Sequence, residues 1–213
     1  MSQKIFITGT DTHIGKTTFA CSLLESLNQE GHKTIGLKPI ASGCEPTPEG
    51  LRSEDALKLQ KNASIQLPYE LVNPVAYEPP IAPHLAAAQI HDSLSVKKLL
   101  TQCEATLKLE ADFIVIEGCG GWLVPLNTKE TMADFAKALD ASVILVVGMR
   151  LGCINHALLT VESIQRSGVP LLGWIANCID KEMKNLDDNI ETLQQRIDSP
   201  LLGVLEFKNI PLS

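Results

Sequence analysis

Nine residues near the amino terminus, Gly9-Thr10-Asp11-Thr12-His13-Ile14-Gly15-Lys16-Thr17, constrain this chain more than any other segment. They follow a short apolar run, Lys4–Thr8, and open an amphipathic stretch, Lys16–Gln29. A glycine-bounded turn between a strand and a helix, ending in Lys-Thr, is the pattern of a phosphate-binding loop. The backbone N–H groups of such a loop point at an anion, and the helix dipole favours negative charge there. Lys16 is then placed to neutralise the β- and γ-phosphates of a nucleotide, and the Thr17 hydroxyl to ligate Mg²⁺. Five residues, not the usual four, separate Gly9 from Gly15. The bland reading is a glycine turn carrying a solvated lysine. The coincidence of strand, glycines, lysine and threonine argues against it.

The rest of the chain repeats the strand–helix alternation. Apolar, β-branched runs fall at Lys4–Thr8, Thr34–Lys38, Phe113–Glu117, Val143–Val147, Leu171–Ala176 and Leu201–Leu205. Most are nearly continuous, as expected for parallel strands buried on both faces. Helical periodicity marks Lys16–Gln29, Ser53–Lys61, Val96–Leu109, Met132–Leu139, Asn155–Ser167 and Glu182–Ile197. The pattern predicts an α/β fold: a parallel sheet flanked by helices on both faces, in a three-layer sandwich like that of P-loop NTPases. Residues 1–213 read as one domain, with no repeat and no Gly/Ser linker. Two proline-rich segments, Ala41–Leu51 and Leu67–Pro83, read as long ordered loops.

Composition narrows the function classes. The net charge of −7 lacks the basic stripe a nucleic-acid binder needs. No apolar stretch reaches the ~20 residues of a membrane span, and the start shows no signal-peptide core. The cysteines 21, 44, 103, 119, 153 and 178 are scattered, without metal-ligand spacing. They read as reduced thiols of a cytoplasmic protein.

Further candidates border the strands. Glu117 ends an apolar run and precedes Gly118-Cys119-Gly120-Gly121. A carboxylate at the carboxyl end of a buried strand faces the ligand crevice of an open sheet. Lys38 ends the second run in Lys38-Pro39, ahead of Ser42-Gly43. Asp55 falls in the first turn of a helix, where the dipole alone would favour an acid.

Taken in order, these pieces resemble the dethiobiotin synthetase family. The matching motifs are Gly9–Thr17, Leu37-Lys38-Pro39-Ile40-Ala41-Ser42-Gly43, Asp55 after Gly50-Leu51-Arg52, and Asn73-Pro74. Ala82-Pro83-His84, Glu117–Gly121 and Leu151-Gly152-Cys153-Ile154-Asn155-His156-Ala157 continue the match across almost the whole chain. The resemblance implies an ATP- and Mg²⁺-dependent ligase that carboxylates 7,8-diaminononanoate with CO₂ and closes the ring through a carbamate. It implies metal ligation by Thr17, Asp55 and Glu117, and catalytic places for Lys38 and Lys16. Nucleotide contacts are implied for His13, Ile14, Gly15, Lys16, Thr17, Thr18, Asp55, Glu117, Gly118, Cys119, Gly120, Asn177, Glu206, Phe207 and Lys208. Substrate contacts are implied for Thr12, Lys38, Ser42, Gly152, Cys153, Ile154 and Asn155. In the family the last four act across a homodimer interface. The chain departs from some relatives at Cys178, at Asn189 and in Glu206-Phe207-Lys208.

A different class shares the fold: nucleotide-switch ATPases of the partitioning and cell-division type. Their phosphate loop carries a signature lysine five residues before the last one, and here that position is Asp11.

Overall fold

The computed structural model describes residues 2–206. β1 (Gln3–Gly9) leads through the glycine loop into α1 (Lys16–Gln29) and β2 (Thr34–Leu37). Next come β3 (Ile40–Ser42), β4 (Glu45–Thr47), β5 (Gly50–Arg52), α2 (Glu54–Asn62), α3 (Tyr69–Val72), β6 (Val75–Tyr77) and α4 (Pro83–Gln89). α5 (Val96–Leu107), β7 (Phe113–Glu117), α6 (Met132–Ala138), β8 (Ser142–Met149), α7 (Cys153–Ser167), β9 (Leu171–Cys178), α8 (Leu186–Arg196) and β10 (Leu201–Leu205) follow.

The central sheet runs β10-β9-β8-β1-β7-β2, and every pairing in it is parallel. Successive strand residues face opposite sides, so each strand feeds two apolar layers. Ile5, Ile7, Val115, Ile144 and Val146 pack with Phe19 and Leu24 of α1 and Leu59 of α2. Phe6, Ile114, Ile116, Leu145 and Trp174 pack on the other face, with Leu99 of α5, Phe135 of α6, Ile164 of α7 and Leu193 of α8. Phe6, fully buried, meets Trp122 and Phe135 edge-on at 6.5 Å. Burying a ring of this kind contributes roughly 2–3 kcal/mol. The three-layer α/β sandwich expected from the sequence is the observed architecture.

The proline-rich segments differ from expectation. They hold a parallel pair, β3 with β6, an antiparallel hairpin of β4 and β5, and the short α3. Three- and four-residue elements are too short to show a period, so the prolines dominated the sequence signal. The last helix begins at Leu186, not Glu182, because Asn185 takes a left-handed conformation at its start (φ 57°).

One glycine fixes the distance between sheet and helix. Gly36 of β2 faces α2 so closely that an added Cβ would lie 2.8 Å from the Leu59 carbonyl oxygen and 2.9 Å from Leu59 Cβ. Backbone on one side leaves no flexible atom to yield. Gly36→Ala is therefore expected to destabilise the fold by about 2 kcal/mol and to lower Tm by roughly 4–8 °C. A thermal melt within a degree of the parent would show that α2 moves away at little cost.

Candidate active site

β1 is flanked by β7 on one side and β8 on the other, so the chain order reverses around it. In open parallel sheets the ligand crevice lies outside the strand carboxyl ends at such a point. There the structure has a cavity of about 500 Å³, walled by Thr12 to Thr17, Lys38, Ser42, Asp55, Glu117, Cys119 and Gly120. Residues 80–83 and Val124 close its other sides.

The strand period aims the carboxylate. Glu117 follows Val115 by two residues, so it lies on the sheet face covered by α1 and α2. Those helices carry Thr17 and Asp55 in their first turns. Leu37 pairs with Ile116, which brings the next residue, Lys38, level with Glu117 on the neighbouring strand. The result is a compact polar cluster. The Lys38 ammonium donates to Glu117 Oε1 at 2.7 Å, to Asp55 Oδ2 at 3.0 Å and to the Gly118 carbonyl at 3.4 Å. The Thr17 hydroxyl lies 2.8 Å from Asp55 Oδ1 and 2.9 Å from Glu117 Oε1.

Burial sets the charges. Removal from water would lower the Lys38 pKa, but the Glu117 and Asp55 carboxylates outweigh it and hold the ammonium well above its ordinary range. Burial likewise works to raise the Asp55 pKa, and the Lys38 charge prevails and keeps it below the usual carboxylate value. Lys16 shows the opposite balance. It is 6% exposed, and desolvation followed by the Lys38 charge brings its pKa down to about 8. Its ammonium folds back to the Asp11 carbonyl at 2.8 Å. Burial keeps the Cys119 thiol above its ordinary value, so that side chain is a neutral wall.

The glycine loop is held from several sides. Gly15 caps α1 in the left-handed region (φ 89°), and a Cβ there would lie 2.1 Å from Asn177 Nδ2. The Asn177 amide donates to the Ile14 carbonyl at 2.7 Å, tying the end of β9 to the loop. Asp11 accepts from the Thr12 N–H at 2.7 Å and pairs with Arg150, just after β8. Arg150 had no sequence signal, since its contact crosses most of the chain.

Two buried oxygens in the cavity wall, Ser42 Oγ and Glu117 Oε2, have no hydrogen-bond partner. Glu117, Asp55 and Thr17 form an all-oxygen donor set with one spare carboxylate oxygen. That set suits Mg²⁺, which binds through one or two carboxylates and completes its shell with water and phosphate oxygens. Among the described residues no cluster of three or more His, Cys, Asp or Glu side chains is disposed to hold a metal.

Other sequence candidates lie apart. Thr18 is exposed on the first turn of α1. Gly152, Cys153, Ile154 and Asn155 form the start of α7, outside the cavity wall. Glu206 borders a separate groove with Cys178 and α8 residues. Phe207 and Lys208 lie outside the described residues.

The cluster generates a stability prediction. Lys38→Met leaves two carboxylates facing each other, one of them 1% exposed, which is expected to cost about 3–5 kcal/mol near neutral pH. The pH dependence reverses as well. In the parent, Asp55 has a lowered folded pKa, so its contribution is present above the unfolded value near ~4 and is lost as pH falls. In the variant the carboxyl pair favours a bound proton, so stability recovers on acidification. Urea unfolding at two pH values reads both, and equal losses at each would contradict the coupling.

Known proteins share both the sequence and the fold of this chain. A family model described as an AAA domain matches residues 3–210. The ATP-dependent dethiobiotin synthetase of Cellvibrio japonicus is 54% identical over 206 residues, covering 96% of this chain and 90% of that protein. That of Pseudomonas aeruginosa is 50% identical over 198 residues, covering 93% and 87%. Among solved structures, the septum site-determining protein MinD of Pyrococcus horikoshii superposes with a TM-score of 0.59 at 18% identity, covering 96% of this chain and 81% of its own. A ParA-family ATPase of Chlorobium tepidum reaches 0.57 at 12% identity, covering 98% and 86%. The structural likeness carries the fold, and the close relatives carry the family. On that identity over nearly its full length, this chain belongs to the ATP-dependent dethiobiotin synthetases.

Proposed function

We propose that this protein carboxylates 7,8-diaminononanoate with CO₂ and closes the product to the cyclic urea dethiobiotin, converting ATP to ADP and phosphate. The observation that carries the reading is one cavity joining a phosphate loop, two lysines and two carboxylates, in a chain half-identical to ATP-dependent dethiobiotin synthetases.

The chemistry has three steps. One amine of the substrate adds to CO₂ and loses a proton, giving a carbamate. A carbamate oxygen attacks the γ-phosphorus, and ADP departs from a carbamic–phosphoric anhydride. The second amine then adds to the anhydride carbon and expels phosphate. Two anions must approach each other in the second step, so the need is for fixed positive charge more than for a base. Lys38 provides it where carbamate and γ-phosphate meet, and Lys16 provides it on the β- and γ-phosphates. The loop N–H groups and the N-terminus of α1 add their dipoles. Thr17, Asp55 and Glu117 would hold Mg²⁺, which when bound would supply Lewis-acid charge to the phosphate oxygens. The unpartnered Ser42 hydroxyl and Thr12 orient the diamine. Asn177 and Glu206 would contact the nucleotide beyond its phosphates.

Residues 1–213 act as one catalytic domain, and two copies complete each site. Gly152, Cys153, Ile154 and Asn155 of one subunit hold the carboxylate tail of substrate bound to the other. Support comes from the N-terminus of a 15-residue helix, whose dipole favours an anion, and from a neighbouring Leu151 that is 96% exposed. The nucleotide-switch reading gains nothing from the likeness to MinD and ParA, which extends to the fold alone.

The test is ATP turnover with and without diaminononanoate and bicarbonate. Turnover indifferent to both compounds sinks the proposal. Lys38→Gln should lower kcat by about 10²–10³-fold with ATP affinity nearly kept, and near-normal kcat would remove Lys38 from the mechanism. Lys16 gives a pH signature. The free protein starts to lose its ammonium charge near pH 8, while bound phosphates would favour the charged form. ATP affinity should therefore fall as pH rises above that value, by at most about tenfold per unit. Lys16→Gln should bind ATP weakly and without that slope, as read by calorimetry.

A further inference from the structure

The cluster of Lys38, Asp55 and Glu117 draws its parts from three places, and only Glu117 is anchored inside the central sheet. Lys38 follows the end of β2, and the next residue, Pro39, has no N–H to donate. Asp55 rides on the first turn of α2. The contact of Gly36 with Leu59 seats α2 on β2, and a second tie from outside the sheet joins the Lys38 main chain to the start of α2.

That role falls to the α3 segment. The Lys38 N–H donates to the Val72 carbonyl at 2.8 Å. The Asn73 side-chain amide donates to the Lys38 carbonyl at 2.7 Å and to the Val75 carbonyl at 3.1 Å. Its oxygen accepts from the Tyr69 hydroxyl at 2.9 Å. The same hydroxyl oxygen accepts the Ser53 N–H at 2.6 Å, and Ser53 is the N-cap of α2, two residues before Asp55. An unbroken hydrogen-bonded path thus runs from the Lys38 main chain to the start of the Asp55 helix. Tyr69 and Asn73 are 8% and 4% exposed. The Arg52 guanidinium covers the Tyr69 ring at 4.2 Å. Neither Tyr69 nor Asn73 lines the cavity.

We propose that Tyr69 and Asn73 are positioning residues of the reaction: they set the separation of Lys38 from Asp55, and so govern phosphoryl transfer without touching substrate. The inference rests on the reading of Lys38 and Asp55 given above. Fully partnered buried groups are hard to displace, because each lost bond leaves a buried donor or acceptor unsatisfied. Small displacements matter here, since a misplacement near 1 Å can cost about a hundredfold in rate.

The test uses the full chain. Tyr69→Phe removes one oxygen and keeps the ring under Arg52, leaving the Ser53 N–H and Asn73 oxygen unpaired. The expected result is a kcat for dethiobiotin formation about tenfold or more below the parent, assayed well below Tm. Nucleotide affinity by calorimetry, in the presence of Mg²⁺, should stay within about threefold, because the glycine loop does not share the path. The Mg²⁺ concentration for half-maximal rate should rise as Asp55 loosens. Asn73→Ser, which withdraws the amide from the Lys38 carbonyl, should show the same split and carries the test if Tyr69→Phe does not fold. A lower Tm with unchanged kcat and unchanged Mg²⁺ requirement would make the path purely structural and overturn the proposal. Parallel loss of nucleotide affinity and kcat would overturn it too, as a general collapse of the site. A parent protein that forms no dethiobiotin would instead strike the reading of function on which the inference stands.

Discussion

Taking the Lys38 ammonium and the Glu117 carboxylate out of water costs several kcal/mol per ion. Their 2.7 Å contact offsets that cost only because further partners are fixed in place. Asp55 and the Gly118 carbonyl take the remaining Lys38 donors, and the Thr17 hydroxyl lies within hydrogen-bond reach of both acids, with one hydrogen to share between them. Each partner comes from a different element, so the pair presupposes the register of β7 with β2, the seating of α1 and the approach of α2. The contact between Gly36 and Leu59 is part of the same requirement, since it lets α2 come near enough for Asp55 to reach Lys38. Fold and site are therefore one packing problem.

Strands buried on both faces declare themselves in sequence, because continuous β-branched runs between amphipathic stretches admit few other structures. The six-strand sheet was legible for that reason. The candidates Lys16, Thr17 and Glu117 stood out by their places in the phosphate loop and at a strand end, Lys38 by the family pattern and a strand end together. All four line one cavity. Asp55 did not stand out, as an acid in a first helical turn has an adequate explanation in the dipole, and only the family pattern singled it out. The segments Ala41–Leu51 and Leu67–Pro83 were misjudged as loops, while the helix between them was read correctly. β3 pairs with β6 across more than thirty residues of chain, from Ile40 to Val75, and no local period reports such a contact; β4 and β5 pair locally but are too short to show one. Arg150 escaped because its partner, Asp11, is likewise distant, 139 residues away.

The sheet alone says little about chemistry. MinD and a ParA-family ATPase share it at 12–18% identity, so function has to be argued from the site. The loop itself offers a distinction in charge. At Asp11 this chain has an acid whose carboxylate is engaged by Arg150 and whose carbonyl receives Lys16. An acid beside an anion-binding loop is unfavourable unless it is neutralised. Arg150 supplies the opposite charge while staying attached to the turn that leads into α7.

The bond from Asn177 to Ile14, closed over a Gly15 with no room for a side chain, joins the end of β9 to the phosphate loop as one body. A loop free to open would have to be ordered each time a triphosphate arrived, and that conformational entropy would come out of the binding free energy. Here the ordering is done during folding, by the same packing that builds the sheet. A phosphate entering such a loop meets a backbone already fixed, so the ordering of the loop is not subtracted from its binding free energy.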